Sequence, residues 1–130
     1  MDLFTKIRKD NYQRLSGYFK DIPYFKTWKI DEDVSPFSFP LLVNKDAPFL
    51  RKHLIDHYTR NKIECRMLFG GNLMRHPAYE KKKEYWESIG EHINADLILN
   101  NFLMIGVSQI LNEDDVNKII EVTTEFIKQW

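Results

Sequence analysis

Residues 65–79 hold the side chains whose types and spacing best suit a chemical role. Arg66 is followed by a pair of glycines and then by Asn72 and Arg75. Glycines let a ligand or another domain approach the backbone closely. An amide and two guanidinium groups supply neutral and cationic donors, which suit sugar hydroxyls and phosphates. The segment therefore predicts either a sugar-phosphate contact made by Arg66, Asn72 and Arg75, or a tight turn with an ordinary basic surface.

Two histidines one helical turn apart form a second candidate. His53 and His57 have the spacing of helical zinc ligands, and Asp56 lies between them. The inverted zinc motif has glutamate at the position of Asp56, and a third ligand is not evident in the sequence. The polar face of a surface helix explains the pair more simply, so we predict no metal site.

A run of lysines at residues 81–83 is followed by Tyr85 and Trp86. Cations and aromatic rings together could track a nucleic-acid backbone and stack on its bases. Glutamates interrupt the positive patch, however, which favours a solvated loop. Lys plus Arg and Asp plus Glu each number 19, so the chain has no net charge to attract nucleic acid or an anionic membrane. We predict neither partner.

Cys65 is the single cysteine of the chain. It lies on the apolar face of a predicted strand, so we expect it to be buried and unreactive. One cysteine cannot form an intrachain disulfide, which points to a reducing compartment, the cytoplasm. His76 and His92 stand alone in the sequence, without a serine, histidine and aspartate arrangement. We therefore predict no catalytic residue in this chain.

The hydrophobic pattern predicts the elements that position these side chains. Apolar residues recur every three or four positions where a helix is expected, and they alternate where a strand is expected. The predicted order is helix 3–20, strand 36–43, a helix that Asp46 caps and Asn61 ends, strand 63–69, an irregular stretch 73–91, helix 92–100, strand 103–107 and a helix that Asn112 caps. Pro40 cannot donate to a ladder, so its strand should be an edge or carry a bulge.

Three short strands with helices on one face predict a small α+β domain. The 130 residues fit one domain, with residues 1–20 as a lead-in helix and 36–130 as the α+β body. Hydrophobic residues make up 43% of the chain, which is typical of a globular protein. No apolar run approaches the roughly 20 residues that span a bilayer. We expect a protein of the cytoplasm.

The same glycine-containing segment also carries a resemblance to a known family. Residues 63–79, which read IECRMLFGGNLMRHPAY, resemble a signature of the DegT-like sugar aminotransferase and dehydrase family. Residues 37–40 and 94–107 agree with that family in order and spacing, so the resemblance covers nearly the whole chain. The sequence departs from the dehydrase pattern at Met74, His76 and Met104, and at residues 108–110.

The resemblance implies an architecture and a function. Enzymes of this family have a large doubly wound domain that binds pyridoxal or pyridoxamine phosphate, followed by a small α+β domain, and their active sites lie where domains and subunits of a dimer meet. This chain would be the small C-terminal domain of a nucleotide-sugar dehydrase or aminotransferase for deoxysugar and surface-polysaccharide synthesis, inactive alone. Arg66, Asn72 and Arg75 would be its share of the nucleotide-sugar pocket.

The resemblance also assigns the cofactors to the large domain, which this sequence lacks. The closest dehydrases carry a two-iron, two-sulfur cluster as well, and one cysteine cannot hold such a cluster. We therefore expect no cofactor in this chain. The departures from the family pattern motivate an alternative, namely a stand-alone binding or assembly module that kept the fold and lost the chemistry.

Overall fold

The computed structural model describes residues 2–130 of the chain, with the side chain of Lys83 left out. The α+β class predicted from the sequence is confirmed. The elements follow in the order α1 (Asp2–Phe19), β1 (Phe25–Lys26), β2 (Ser38–Val43), α2 (Arg51–Arg60), β3 (Cys65–Arg66), a 3-10 turn (Leu73–Arg75), α3 (Pro77–Glu80), a 3-10 turn (Lys83–Tyr85), α4 (Ile93–Asn101), β4 (Phe102–Gly106) and α5 (Glu113–Ile127).

The sheet is antiparallel and has four strands, in the order β1-β2-β4-β3, where the sequence predicted three. The additional strand β1 has only two residues, too few for an alternating pattern to reveal. The expectation that β2 is an edge strand is wrong, because β1 and β4 flank it. Pro40 is tolerated since β1 pairs only with Leu42 and Val43, so a donor at Pro40 is not required on that side.

One face of the sheet forms the core with three helices. Alternate residues of the central strands point to this face and are at most 1% exposed: Phe39, Leu41, Val43, Leu103 and Ile105. α1 and α2 pack against α5, and the core extends through all of them. The opposite face carries Pro40, Met104 and Arg66 in register across β2, β4 and β3.

The ends of α2 differ from the prediction. The helix begins after Leu50 and not at Asp46, because Phe49 turns into the core, where its ring lies 4.7 Å from that of Phe126. Asn61 ends the helix by donating to the carbonyl of His57, and the left-handed residue is the next one, Lys62. Burial of one aromatic ring has outweighed the local capping preference of Asp46.

Helix α5 follows the sequence closely. Asn112 and Asp115 form a reciprocal capping box, and Val116, Ile119 and Phe126 are buried as their spacing predicts. Helix α1 is correct in extent, but its buried face differs from the predicted one. Its buried residues are Asn11, Tyr12, Leu15 and Phe19, whereas Phe4 is exposed.

The stretch 73–91, predicted as irregular, contains three short helical turns. Asn72 caps the first by accepting from the Met74 N–H, and His76 caps the second by accepting from the Ala78 N–H. Pro77 occupies the first helical position, where a missing N–H costs nothing. Within residues 2–130, no helix is both long and apolar enough to cross a membrane.

Candidate functional site

Asn72 and Arg75 meet at one carboxylate, that of Asp96 in α4. The Asn72 side-chain amide donates to Asp96 Oδ1 at 2.7 Å. The Arg75 guanidinium donates from Nε to Oδ1 at 3.1 Å and from Nη2 to Oδ2 at 3.0 Å, a bidentate pair. Asn72 is 3% exposed, while the Arg75 side chain is 62% exposed. The arrangement holds one edge of the guanidinium and leaves the other edge to solvent.

A close backbone contact brings the turn to α4. Gly71 has φ +60°, and a Cβ built on it would lie 2.7 Å from Leu99 Cδ1 and 3.0 Å from Leu99 Cα. Both the left-handed conformation and this approach require glycine. Gly71 therefore serves contact with the chain's own helix, which places Asn72 and Arg75 over the first turns of α4.

The Asp96 carboxyl is strongly perturbed by its two partners. The Arg75 guanidinium, and after it the Asn72 amide, lower the pKa of Asp96 from 3.8 to about 2. A carboxyl whose pKa is depressed in the folded state stabilises that state at pH values above its unfolded pKa. This stabilising contribution is lost as the pH falls from about 4 through 2. The hydrogen-bonded cluster of Asn72, Arg75 and Asp96, called the clamp below, is therefore intact at neutral pH.

Replacing Arg75 by methionine should raise the pKa of Asp96 toward 3.8, because the larger of the two stabilising contacts is removed. Carbon-detected NMR titration of the aspartate carboxyls measures this value directly. Arg60→Met, which removes the same charge from the exposed end of α2, is the matched control and should leave the Asp96 pKa near 2. An unchanged pKa in Arg75→Met would show that the ion pair does not form in solution.

Arg66 lies apart from this clamp, at the end of β3. Its Nε and Nη2 both donate to Glu64 Oε1 at 2.9 Å, and both side chains are about three-quarters exposed. It borders a cleft of about 170 Å³ on the open face of the sheet, whose floor includes Phe37 and Met104. Phe37 is 73% exposed. The Arg66 guanidinium thus lies beside exposed apolar surface.

The structure thus brings together two of the three residues singled out in the sequence. Asn72 and Arg75 share Asp96, and Arg66 pairs with Glu64. The three side chains do not share one exposed rim, because Asn72 is buried and its amide is used within the chain. The sequence pattern does not identify Asp96 as the partner of Asn72 and Arg75. Its indication in the sequence is that Asp96 lies within residues 94–107, which agree with the family in order and spacing.

The chain matches the profile of a known protein family. The profile of the DegT/DnrJ/EryC1/StrS aminotransferase family matches residues 1–124. The chain belongs to this family. The resemblance inferred from the sequence is therefore confirmed.

Curated DegT-family relatives cover nearly all of this chain but are much longer than it. The dTDP-4-dehydro-2,6-dideoxy-D-glucose 3-dehydratase of Saccharopolyspora spinosa is 27% identical over 126 residues, 95% of this chain and 27% of that protein. The GDP-4-keto-6-deoxy-D-mannose 3-dehydratase of Escherichia coli is 28% identical over 120 residues, 92% of this chain and 30% of the enzyme. The lipopolysaccharide biosynthesis protein RfbH of Salmonella typhimurium is 31% identical over 94 residues, 72% of this chain and 21% of that protein.

Solved structures show the same relationship. The E. coli GDP-4-keto-6-deoxy-D-mannose-3-dehydratase with bound hydrated PLP superposes with a TM-score of 0.80 at 27% identity, over 93% of this chain and 31% of that one. The Helicobacter pylori aminotransferase PseC has a TM-score of 0.82 at 14% identity, which shows a shared fold. The chain thus spans about 30% of the length of the enzymes it matches.

The described residues do not by themselves fit pyridoxal phosphate. That cofactor is held through a Schiff-base lysine and a carboxylate or guanidinium at the ring nitrogen. The buried side chains with polar atoms in residues 2–130 include Asn11, Asn72, Thr123 and the hydroxyls of Tyr12 and Tyr58, and each is hydrogen-bonded within the chain.

The other candidate residues from the sequence are His53, His57 and Cys65. His53 stacks on Trp130 at 5.4 Å, and His57 Nε2 contacts the Val122 carbonyl at 3.1 Å. Across residues 2–130, no group of three His, Cys, Asp or Glu side chains could hold a metal ion. Cys65 is partly buried, and burial raises the pKa of its thiol.

The lysine run lies on a turn before Trp86. Lys81 and Lys82 are exposed, and the side chain of Lys83 lies outside the described part of the structure. Glu80 and Glu84 flank the run and are exposed as well. This placement agrees with the solvated loop favoured by the sequence.

Proposed function

We propose that this chain is the small domain of a pyridoxal- or pyridoxamine-phosphate-dependent enzyme that modifies nucleotide sugars for deoxysugar and surface-polysaccharide synthesis. It acts when joined to a cofactor-binding large domain, in an enzyme that works as a dimer, and is inactive alone. The observation that carries the proposal is the superposition on a solved sugar dehydratase, which covers 93% of this chain but only 31% of the enzyme. The family match over residues 1–124 supports it.

The identities favour a 3-dehydratase over an aminotransferase. Three of the curated relatives, at 24% to 28% identity, are named as 3-dehydratases of deoxysugar nucleotides. The structures described as aminotransferases are only 12% to 14% identical and support the fold alone. The residue that would distinguish the two reactions lies in the large domain.

The small domain would contribute binding groups to the shared pocket. Arg66 presents an exposed guanidinium on the open sheet face, and a phosphate of the substrate that binds there would replace its equally exposed partner, Glu64. Arg75 presents the edge that Asp96 does not occupy. Asn72 contributes by holding Asp96 and capping the turn that carries Arg75. These groups bind and orient, and proton transfer belongs to other parts of the enzyme.

A fusion tests the proposal directly. The E. coli GDP-4-keto-6-deoxy-D-mannose 3-dehydratase is truncated before the 120 residues that match this chain, and this chain is fused in their place. We expect the fusion to bind pyridoxal phosphate and to dehydrate a 4-keto-6-deoxy sugar nucleotide. The isolated chain should give no stoichiometric aldimine absorbance and no turnover, and the truncated dehydratase alone is the matched control.

Two outcomes separate the proposal from its alternative. Turnover by the isolated chain, or a folded fusion that binds the cofactor but turns over neither a GDP- nor a dTDP-linked substrate, would contradict a role as the small domain of such an enzyme. The second of these results would favour the stand-alone binding module. The coding sequence next to this one gives independent information, since a neighbouring large-domain gene supports a split enzyme.

A further inference from the structure

A cleft of about 580 Å³ opens beside Arg75. It lies between the 3-10 turn Leu73–Arg75 and the segment that leads into α4. Its polar and aromatic lining consists of Arg75, Trp86, Glu87, Ser88, Glu91 and His92. None of these residues except Arg75 belongs to the signature segment, so the cleft adds a group of side chains that the function described above does not use.

The side chains around the cleft are held by hydrogen bonds to Asp96, to the Tyr79 carbonyl and, for Ser88 and His92, to each other. Asp96 binds Arg75 through Nε and Nη2, so Nη1 lies on the far edge of the guanidinium. The Trp86 indole N–H donates to the Tyr79 carbonyl at 3.0 Å, which fixes the plane of the ring. Ser88 Oγ and His92 Nε2 are hydrogen-bonded at 2.7 Å. A site whose groups are already oriented loses less entropy when it binds a ligand.

The backbone of the same segment is strained. His92 has φ +46° and Gly90 has φ +84°, both in the left-handed region. For a residue other than glycine this conformation costs about 1–3 kcal/mol, and such positions cluster at functional sites. The conformation of His92 places its ring where it meets Ser88 at the rim of the cleft. The left-handed conformation of His92 and its hydrogen bond to Ser88 thus together position these two side chains at the edge of the cleft.

The charges of the cleft favour a neutral ligand. The positive charge of Arg75 is matched by Asp96, and Glu87 and Glu91 add negative charge, which disfavours a phosphate. Guanidinium, carboxylate, hydroxyl and imidazole groups supply donors and acceptors side by side, as the hydroxyls of a sugar require. An indole ring offers an apolar surface for the C–H face of a pyranose. A neutral hexose ring satisfies all three conditions.

We propose that this cleft binds the hexose ring of the nucleotide sugar, with Trp86 against the face of the ring and with Arg75 and the Ser88–His92 pair on its hydroxyls. Asp96 acts as a positioning residue, because it sets the orientation of Arg75 without touching the sugar. The proposal rests on the proposed function for its ligand class. It places the sugar apart from Arg66, which would face the phosphates.

Fluorine NMR of the whole chain labelled with 5-fluorotryptophan tests this placement. The chain has three tryptophans, Trp28, Trp86 and Trp130, so Trp86 reports on the cleft and the other two serve as internal controls. The probes are a GDP-linked 6-deoxyhexose, the methyl glycoside of the same 6-deoxyhexose, and GDP. We expect both sugar-containing probes to shift the Trp86 resonance in a saturable way, and GDP to leave it in place.

Two variants test the roles of the polar groups. Arg75→Gln should weaken binding of the methyl glycoside about tenfold, since a hydrogen bond from a charged donor is removed. Asp96→Asn should weaken it as well and should broaden the Trp86 resonance of the complex, because Arg75 is no longer held. Arg60→Gln, on the exposed end of α2, is the matched control and should bind normally. An unchanged Trp28 resonance shows that each variant remains folded; Trp130 serves the same purpose for the Arg75 and Asp96 variants, since Arg60 lies in the same pocket as Trp130.

The result that overturns the proposal is a Trp86 resonance that neither sugar probe moves up to its solubility limit. An equal shift by GDP alone also overturns it, since the cleft would then bind the nucleotide. These outcomes are independent of the fusion experiment. If the fusion is active but neither sugar probe shifts the Trp86 resonance, the proposed function is supported and the sugar cleft is contradicted. If the sugar probes shift the Trp86 resonance but the fusion is inactive, the sugar cleft is supported and the proposed function is contradicted.

Discussion

Replacing Gly71 by alanine is expected to lower the free energy of unfolding by about 2–5 kcal/mol, as the sum of two costs. A left-handed conformation costs an L-residue about 1–2 kcal/mol. The added methyl group would also lie 2.7 Å from Leu99 Cδ1 and 3.0 Å from Leu99 Cα, and overpacking of this kind typically costs about 1–3 kcal/mol. The Leu99 side chain can rotate away, but its Cα belongs to α4 and cannot.

Two other glycines separate these costs. Gly90 has φ +84° with no atom within 4 Å of a built Cβ, so Gly90→Ala should show the conformational cost alone. Gly106 also has open space and no positive φ, so Gly106→Ala should have little effect. Urea unfolding followed by circular dichroism gives the three free energies. Exchange of the Asn72 side-chain amide, which donates to Asp96, shows whether the turn has left α4. A Gly71→Ala protein as stable as Gly106→Ala, with Asn72 equally protected, would contradict the contact.

The contact at Gly71 also shows why the candidate site could be predicted only in part. Within residues 65–79, the residue types of Arg66, Asn72 and Arg75 and the neighbouring glycines indicate a candidate site. Their partners could not be found in that way, because Asp96 is 21 residues beyond Arg75 and meets it only through the fold. The glycines were interpreted as room for a ligand or another domain, whereas Gly71 makes room for α4 of the same chain.

Elements with a long periodic pattern were predicted well, and elements set by single contacts were not. Helix α5 has fifteen residues with a capping box and a regular apolar stripe, so its extent follows from local sequence. Strand β1 has two residues that pair only because β2 lies beside it. The start of α2 depends on where the Phe49 ring can be buried, which is a property of the assembled core.

The same distinction applies to the function. The family could be recognised because its signature lies in one continuous segment and two flanking stretches, and the match over residues 1–124 confirms it. The sugar cleft proposed beside Arg75 combines a turn, a loop and the start of α4, so no single stretch of sequence reveals it. The approach of Arg75 to Trp86, Ser88 and His92 is information that only the structure supplies.

Disruption of a buried hydroxyl pair that joins α2 to α5 should also lower the free energy of unfolding. Tyr58 and Thr123 are both 0% exposed, and their hydroxyl oxygens lie 2.6 Å apart. The Thr123 hydroxyl donates to the Ile119 carbonyl at 2.7 Å, so the Tyr58 hydroxyl donates to Thr123. Thr123→Val keeps the shape but leaves the Tyr58 donor buried without a partner. We expect it to cost about 2 kcal/mol of unfolding free energy.

Tyr58→Phe and the double variant make this prediction specific, because the two single changes are not equivalent. Tyr58→Phe removes the donor and leaves Thr123 bound to Ile119, so it should cost about 1 kcal/mol, and Tyr58→Phe/Thr123→Val should be no less stable than Thr123→Val alone. Burial raises the pKa of Tyr58, so its contribution is present below the unfolded value of 10 and is lost as the pH rises beyond it. Tyr58→Phe should therefore lose less stability than the parent chain between neutral pH and pH values above 10. Equal costs for the two single variants in urea unfolding, or the same alkaline loss with and without Tyr58, would show that this hydroxyl is not buried in solution.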